Sequence, residues 1–300
     1  MLGASATNYF NKCGISQTDN LTDFQSLSVP DLPFTSIQCA AIHNNLVVMS
    51  TQSGSMITTS NFQDYDTYDF NQKQNQVQKM VWNQEFVAAG FTRNVQMQEQ
   101  ACVWLSTNGA DEYSWRAAYL VQDDYSAFTN MITTLGTQIM AVGHAQNLTQ
   151  SLMLLGSVNG TWQLIPLPAQ VQGGLWSVAS DGLRIWVGGR GWIAQSSLAN
   201  LASWIRTDLP TKKTIQHIQF VNNQVIALVG DQVYTSSNGV DYTSTHIMGR
   251  NLTVSHVHDG EIILGSHSLL TQSDLFVWNS SDQSWQPRKS QVHAQAFLSI

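Results

Sequence analysis

The sequence predicts an all-β fold built from seven similar units of four short strands each. Three observations carry this prediction. A polar phrase ending in an aromatic residue recurs along the chain, apolar strands precede it in a fixed order, and the two chain ends look like complementary halves of one more unit. The resulting period is about 43 residues, which lies within the range of roughly 20–50 residues of repeat architectures.

The repeated phrase is clearest at residues 233–245, VYTSSNGVDYTST, which reads as a strand, a tight turn and a second strand. Other copies combine Ser, then Asn or Asp, then an aromatic residue. They lie at residues 106–115, 157–162 and 280–285, with looser copies at 60–65 and 196–204 and a weak copy at 16–24. The closing aromatic residues are Phe24, Tyr65, Trp115, Trp162, Trp204, Tyr242 and Trp285.

Two further landmarks recur in phase with this phrase. A short apolar strand, usually ending in Gly, precedes it, as in IMAVGH at residues 139–144. Another strand comes before that one and ends in a turn, as in LWSVASDG at residues 175–182. Asn-Asn and Asp-Gly endings supply residues that tolerate positive φ in hairpins. Each unit is therefore predicted as strands A, B, C and D, with the phrase at the C–D turn, and no stretch has a convincing helical period.

The chain ends determine the number of units. MLGAS, at residues 1–5, looks like a B strand without its A strand, and VHAQAFLSI, at residues 292–300, looks like an A strand without its B strand. Pairing the two closes a ring and hides the edges of an open array. Four-stranded units that close in a ring are the blades of a β-propeller. A β-sandwich or two separate β domains would be the alternative, but neither predicts complementary half-units.

We therefore predict one seven-bladed β-propeller domain spanning residues 1–300, with four-stranded antiparallel blades. The predicted blades cover approximately residues 36–70, 76–122, 126–167, 173–210, 214–247 and 251–288, with a closing blade of 291–300 and 1–30.

The phrase resembles the Asp-box, or BNR repeat, whose pattern is approximately Ser-x-Asp-x-Gly-x-Thr-Trp. Propellers of this family include sialidases, xyloglucan-cleaving glycosidases, sortilin-type receptors and a photosystem assembly factor, and the resemblance implies that the box is structural. Asn replaces Asp in several copies, and Gly is missing from others. Ser and Asn side chains can bond turn amides, and Gly can adopt a left-handed conformation. The predicted structural positions are Ser106, Asn108, Trp115, Ser157, Asn159, Trp162, Ser236, Asn238, Gly239, Tyr242, Ser280, Asp282 and Trp285.

Composition narrows the classes of function. Charged residues make up 11% of the chain, against roughly 25% in typical soluble domains, and Gln, Asn, Ser and Thr replace them. The net charge of −7 argues against a nucleic-acid partner, which needs clustered Lys and Arg. No apolar run approaches the roughly 18 residues of a membrane helix, and the N-terminus lacks the features of a signal peptide. The separated Cys13, Cys39 and Cys102 are predicted to be buried free thiols, with a single disulfide as the alternative.

Catalytic patterns are weak. A sialidase-like site needs three arginines on a carboxylate, and only Arg93, Arg190 and Arg250 fall in B–C or D–A loops, the end at which propellers usually bind ligands. The family's Phe/Tyr-Arg-Ile-Pro motif has no match. A glycosidase needs two opposed carboxylates, and the candidates are Glu99, Asp123, Asp124 and Asp231. The HVH sequence at residues 256–258 is interpreted as channel-lining histidine, so we predict no metal and no cofactor.

A binding role is the remaining prediction, with candidate residues Tyr9, Arg93, Asp124, Tyr125, Arg190, Trp192 and Arg250. GRGW, at residues 189–192, places an Arg and a Trp between glycines, which suits sugar stacking or a protein hot spot. The alternative is a tight turn with one surface aromatic residue.

These residues and the composition predict a non-enzymatic recognition or assembly module, held by other proteins of a larger assembly. The uncharged polar surface is typical of phage or viral particles, especially tail or adhesin components, which favours virion association over a cytoplasmic location. The alternatives are a lectin-like propeller that binds a cell-surface glycan, a divergent glycosidase, and an intracellular assembly chaperone resembling the photosystem factor.

Overall fold

The computed structural model describes residues 2–7, 12–17, 25–27, 37–70, 74–121, 127–145, 148–247, 251–258, 261–267, 275–279, 284–288 and 296–298. Within these ranges the strands are β1 (Leu2–Thr7), β2 (Lys12–Gln17), β3 (Gln25–Leu27), β4 (Ile37–His43), β5 (Leu46–Thr51), β6 (Ser55–Thr59), β7 (Asp66–Asp69), β8 (Gln76–Asn83), β9 (Glu85–Arg93), β10 (Glu99–Ser106), β11 (Arg116–Leu120), β12 (Ala127–Leu135), β13 (Gln138–Ala145), β14 (Ser151–Ser157), β15 (Gln163–Leu164), β16 (Ser177–Ser180), β17 (Arg184–Gly188), β18 (Trp192–Ser197), β19 (Asn200–Asp208), β20 (His217–Val221), β21 (Gln224–Val229), β22 (Gln232–Ser236), β23 (Thr243–His246), β24 (Asn251–His258), β25 (Glu261–His267), β26 (Leu275–Asn279), β27 (Ser284–Arg288) and β28 (Ala296–Leu298).

These strands form seven four-stranded antiparallel sheets in the described part of the chain. Blades 1 to 6 take four consecutive strands each, β4–β7, β8–β11, β12–β15, β16–β19, β20–β23 and β24–β27, and blade 7 comprises β28, β1, β2 and β3. Short 3-10 turns lie at Glu112–Ser114 and Ala169–Val171. The all-β propeller prediction is confirmed.

Blade 7 joins the two ends of the chain. Leu2 pairs with Leu298, and Ala4 pairs with Ala296, in antiparallel register. The last strand, β28, also lies next to β4 and β24, the innermost strands of blades 1 and 6. The complementary half-units at the chain ends thus belong to the same sheet.

The hydrophobic core lies between neighbouring blades. Val87 on β9 and Ile139 on β13 belong to one buried cluster that joins blades 2 and 3. Trp186 on β17 and Tyr234 on β22 belong to another that joins blades 4 and 5. B and C strands are buried on both faces because a blade packs on each side of them, which explains their continuous apolar runs.

The A–B turns use the residues that the sequence indicated. Asn44 follows β4 with a φ of 52°, and Asn222 and Asn223 follow β20 with φ values of 49° and 58°. Gly136 and Gly182 occupy two other A–B turns with φ values of 66° and 88°. Asn and Gly tolerate this left-handed region better than other residues, so the turns form without strain.

The glycines near the ends of B strands connect each blade to the next. The carbonyl oxygen of Gly143 accepts a hydrogen bond from the backbone N–H of Leu175 at 3.1 Å. The carbonyl of Gly230 accepts one from Leu252 at 2.6 Å. In both cases the donor lies just before or at the start of the next inner strand. At Gly90, an added Cβ would collide with the backbone of β8, the inner strand of the same blade. The recurring Gly therefore permits close contact between strands at the end of the blade.

The repeated phrase forms side-chain-supported C–D loops. Ser236 Oγ accepts the N–H of Gly239 at 2.8 Å, and Asn238 Oδ1 accepts the N–H groups of Val240 and Asp241, both at 2.9 Å. Gly239 has a φ of 76°, where a residue with a Cβ is strained. These bonds and the left-handed Gly239 hold the turn in this copy.

The copy predicted at residues 60–65 reproduces these bonds, but Thr59 rather than Ser60 takes the place of Ser236. Thr59 Oγ1 accepts the N–H of Phe62 at 2.9 Å, and Asn61 Oδ1 accepts those of Gln63 at 2.8 Å and Asp64 at 2.9 Å. Phe62 takes the Gly position with a φ of 57°. The copy at residues 106–115 is similar, because Ser106 Oγ accepts the N–H of Gly109 at 2.8 Å.

The copy at residues 157–162 departs from this geometry. Its turn is closed by a backbone bond from Gly160 N–H to Ser157 O at 3.3 Å, and neither the Ser157 nor the Asn159 side chain makes a hydrogen bond with the described residues. The aromatic residue, Trp162, follows its Ser after five positions rather than the six that separate Ser236 from Tyr242, which leaves a shorter loop. Ser280 and Asp282 of the last copy, and Phe24 of the first, lie outside the described residues.

The C–D loops also bind the preceding blade. The hydroxyl of Tyr68, on β7 of blade 1, donates to Gly109 O at 2.7 Å and accepts a hydrogen bond from Trp115 Nε1 at 2.8 Å. In the same way, Thr207 on β19 donates to Val240 O in the loop of blade 5 at 3.0 Å. The phrase therefore fixes contacts between blades as well as its own hairpin.

The structure gives a reason for Asn in place of the family's Asp. Asn238 Nδ2 donates to Asp241 Oδ2 at 2.8 Å, and Asn61 Nδ2 donates to Asp64 Oδ2 at 2.9 Å. An Asp at position 238 would place its carboxylate against that of Asp241, and like charges at this distance repel. The amide keeps the turn-forming acceptor and adds a donor for the second acidic residue.

We expect Asn238→Asp to lower the free energy of unfolding by about 1 kcal/mol at pH 7. The loss should shrink as pH falls toward the ordinary carboxyl pKa near 4, because protonation removes the repulsion. Asn238→Asp combined with Asp241→Asn swaps donor and acceptor and should restore stability. Urea unfolding at pH 7 and pH 4 measures both effects, and a more stable single variant at pH 7 would contradict the explanation.

The described cysteines are buried free thiols. Burial raises the pKa of Cys39 to about 11, although a hydrogen bond with Ser50 opposes the rise. Burial also raises the pKa of Cys102. The prediction is confirmed for these two, and the side chain of Cys13 lies outside the described residues. Across the ranges given above, no helix is long and apolar enough to cross a membrane.

Candidate binding cleft on the loop face

One end of the propeller carries the B–C loops and the D–A connections, because adjacent strands of a blade are antiparallel. We call this end the loop face. It includes residues 94–98 of blade 2, 148–150 of blade 3, 189–191 of blade 4 and 230–231 of blade 5. The A–B turns and C–D loops lie at the opposite end.

A cleft of about 380 Å³ opens on the loop face. Blades 3, 4, 5 and 6 all contribute to it. Its lining includes Leu148, Trp176, Arg190, Lys212, Lys213 and Gln216. The volume lies within the range of roughly 300–1,000 Å³ that is usual for ligand pockets.

The basic residues of the cleft stand on a rigid platform. Gly191 N–H donates to Lys213 O at 2.9 Å, and Ile215 N–H donates to Gly189 O at 3.0 Å, so the B–C loop pairs with the D–A segment. Arg190 Nε donates to Lys212 O at 2.9 Å. Gly191 has a φ of 76°, and an added Cβ would collide with the carbonyl of the segment beside it. These bonds hold Arg190 and Lys212 in place before any ligand binds.

Two exposed cations of the cleft lack an acidic partner. The third cation of the cleft, Lys213, is paired with Asp231, and elsewhere in the described ranges ion pairs neutralise Arg93, Arg116, Arg184 and Arg206. Arg190 and Lys212 are exposed and form no ion pair with the residues described. A chain of net charge −7 has many carboxylates, so two unpaired cations at the same cleft mark a place for an external anion.

An acidic residue, Asp231, binds the Lys213 side chain beside the cleft. Lys213 Nζ lies 2.9 Å from Asp231 Oδ1, and His246 Nε2 lies 2.7 Å from Asp231 Oδ2. The hydrogen bonds from His246 and from Lys213 lower the pKa of Asp231 to about 2. The carboxylate therefore stays ionised at neutral pH and holds the Lys213 side chain at the rim.

Gln216, which lines the cleft, has a side-chain acceptor without a donor. Gln216 Oε1 is buried and has no hydrogen-bond partner among the described residues. A buried acceptor left unsatisfied costs roughly 1–3 kcal/mol. A ligand N–H or O–H that reached this oxygen would recover that cost.

Trp192 does not have the exposure that the sequence suggested. It begins β18 and is 4% exposed, so the prediction of a surface aromatic residue is wrong. The Arg206 guanidinium, from the outer strand of the same blade, lies 4.8 Å from the Trp192 ring centroid. On the other side, a Cβ at Gly189 would collide with the indole. The indole thus packs inside the blade, and Arg190 alone of this pair faces solvent.

The other described candidate, Arg93, lies on a different blade from Arg190. Arg93, on blade 2, forms an ion pair with Glu99 at 2.9 Å, whereas Arg190 belongs to blade 4. Tyr9, Asp123, Asp124, Tyr125 and Arg250 lie outside the described residues, as do the side chains of His256 and His258. Of the four carboxylates considered for hydrolysis, the described Glu99 and Asp231 are both in ion pairs.

Sequence reasoning missed the D–A segment. Lys212 and Lys213 lie in LPTKKT, residues 209–214, and Gln216 follows shortly after. Adjacent lysines stand out in a chain with 13 basic residues in total, and that was the available signal. A sialidase-type site is defined by arginines, so these lysines do not belong to that pattern.

Comparison with solved structures shows the fold. The chain superposes on YCF48 bound to D1 peptide with a TM-score of 0.63 and 13% sequence identity, covering 85% of this chain and 82% of that one. It superposes on the WD40 β-propeller domain of Doa1 with a TM-score of 0.62 and 10% identity, covering 88% of this chain and 85% of that one. Neither the family models nor the curated proteins give a match. Membership of the Asp-box family stays a prediction.

Proposed function

We propose that this chain is a non-enzymatic recognition module that binds a protein partner through its loop face. We further propose that it works as a component of a larger assembly, of the tail or adhesin type in a phage or viral particle. The observation that carries the proposal is the combination of unpaired cations and exposed apolar side chains on that face.

The apolar part is displayed on an ordered loop. Val95 is 93% exposed and Met97 is 60% exposed. Asn94 Oδ1 accepts the N–H groups of Gln96 at 3.0 Å and Gln98 at 2.9 Å, which fixes the loop. Large apolar side chains held out in solvent are typical of contact surfaces. Leu148 continues this apolar character at the edge of the basic cleft.

Two further observations support a protein partner. The YCF48 structure is described as bound to a D1 peptide, so a propeller of similar shape accommodates a peptide. Protein interfaces combine apolar side chains with Arg and other polar groups, and the loop face carries Val95 and Met97 as well as Arg190 and Lys212. The low content of charged residues, 11%, supports the particle interpretation.

Site-specific photo-cross-linking tests the proposal. A benzophenone side chain at Val95, on the loop face, is expected to form an adduct with a structural protein of particles isolated from the native source. The matched control is the same side chain at Leu183, which is 77% exposed in an A–B turn at the opposite end. Adducts at Leu183 alone, or at neither position, would overturn the loop-face proposal.

The other candidate functions have their own outcomes. A sugar-specific signal on a glycan array, without a protein adduct, would replace the proposal with a lectin-like propeller. Glycoside hydrolysis that Asp124→Asn abolishes would replace it with a glycosidase.

A further inference from the structure

The unpaired groups of the cleft define the chemistry of its ligand. Arg190 and Lys212 present positive charge on the rigid platform described above, and Gln216 Oε1 presents a buried acceptor. A complementary ligand therefore carries an anion and a hydrogen-bond donor within the length of a cleft of about 380 Å³. A peptide segment with Asp or Glu side chains has both, because each carboxylate is close to a backbone N–H.

We propose that the cleft is the binding site for an acidic peptide segment of the partner. Arg190 and Lys212 bind its carboxylates, and Gln216 Oε1 accepts a backbone N–H of the same segment. This inference rests on the proposed function. It adds the negative charge of the partner segment and the residues that bind that segment.

The aromatic residues near the cleft favour a peptide over an acidic glycan. Sugar sites usually offer an open aromatic face. The Trp176 ring, half-buried at the cleft, lies 4.5 Å from the ring of His144, which covers part of it. The Trp192 ring is buried beneath Arg206. Charge and hydrogen bonding, rather than stacking, are therefore the contacts that the cleft offers.

Rigidity supports the assignment. A long side chain that must be ordered on binding costs about 0.5–1.5 kcal/mol. The Arg190 side chain already donates to Lys212 O, so part of its freedom is lost in the free protein. The platform is thus organised for anion binding rather than being a flexible charged loop.

The experiment measures binding of fluorescein-labelled N-acetyl-hexaglutamate to the full chain by fluorescence anisotropy at low salt. Hexaglutamine serves as the uncharged peptide, and labelled hexagalacturonate serves as a glycan with the same number of carboxylates. We expect hexaglutamate to bind, hexaglutamine not to bind, and hexagalacturonate to bind more weakly. Equal or tighter binding of hexagalacturonate would overturn the peptide assignment in favour of an acidic glycan.

Variants locate the site. Lys212→Gln with Arg190→Gln is expected to raise the Kd for hexaglutamate about tenfold. Arg184→Gln removes one positive charge at the start of β17, next to the A–B turn at the opposite end, and it should leave the Kd unchanged, whereas Arg190→Gln alone should raise it. Gln216→Leu should weaken hexaglutamate binding severalfold and leave the binding of glutarate, which has no N–H, unchanged.

The outcomes separate this inference from the proposed function. Equal losses in the cleft variants and in Arg184→Gln would show non-specific charge attraction and would overturn the inference. Cross-links at Val95 that persist in the cleft double variant would keep a loop-face partner but overturn the acidic cleft as its site. Thermal unfolding of each variant confirms that it folds, and Lys212 is exposed, so its replacement should not change Tm.

Discussion

Replacing Trp186 with Ala is expected to lower the free energy of unfolding by about 3–5 kcal/mol. Trp186 is fully buried on β17 of blade 4. Its ring stacks on Phe220 of blade 5, with centroids 5.3 Å apart and an angle of 4° between the planes. Its Nε1 donates to Gln195 Oε1 at 3.1 Å, and the Arg184 guanidinium lies 4.9 Å from the ring.

The expected loss of stability is large because Trp186 lies between blades 4 and 5. The indole is shared by two blades, so its removal opens a cavity at their interface and leaves Gln195 without its donor. Whole domains are stable by only about 5–15 kcal/mol. The loss should therefore appear as a clear fall in the midpoint of urea unfolding followed by circular dichroism.

Tyr113→Ala provides the matched control, because that ring is 82% exposed. Its removal should change stability by less than about 0.5 kcal/mol. Similar losses for the two variants would show that Trp186 does not join blades 4 and 5. An unchanged m-value in both would show that the same amount of surface is exposed on unfolding.

Most of the fold could be predicted because its signals are local and repeated. Turn residues such as Asn222 and Asn223, and the Ser236–Gly239 loop, encode their own geometry within a few positions. Degenerate copies did not hide the repeat, since Thr59 and Phe62 reproduce the loop with other side chains. The pairing of Leu2 with Leu298 could be predicted because each end of the chain carries an incomplete unit.

The site was harder to predict because it depends on which residues cover one another across strands and blades. Trp192 follows a Gly-rich turn in the sequence, and only the packing of Arg206 on its ring shows that it is buried. The ion pair of Lys213 with Asp231 joins residues from two blades. That pairing distinguishes Lys213 from Lys212, although the two are adjacent in the chain.

Gly239→Ala is the second substitution with a large expected effect, about 3 kcal/mol or more. Part of the cost is conformational, because Gly239 has a φ of 76°, and a left-handed residue with a Cβ costs roughly 1–2 kcal/mol. The rest is steric. The added Cβ would collide with Trp186 Nε1 and Gln195 Oε1 in the neighbouring blade, and overpacking costs about 1–3 kcal/mol.

Gly136→Ala isolates the conformational part. Gly136 has a φ of 66°, yet no atom lies within 4 Å of a Cβ built there. Its replacement should cost only about 1 kcal/mol. A loss as large as that of Gly239→Ala would mean that backbone strain alone explains both variants.

A double-mutant cycle then tests the contact between blades. In the Trp186→Ala background the indole is absent and Gln195 is free to move, so Gly239→Ala should cost only its conformational part, about 1 kcal/mol. The expected coupling of about 2 kcal/mol lies within the range for residues in direct contact. Additive losses would show that Gly239 supports its own hairpin without an energetic contribution from its contact with Trp186. Coupled losses would show that Gly239 is required because the C–D loop of blade 5 fits against Trp186 and Gln195 of blade 4, so that this copy of the repeated phrase joins two blades as well as closing its own hairpin.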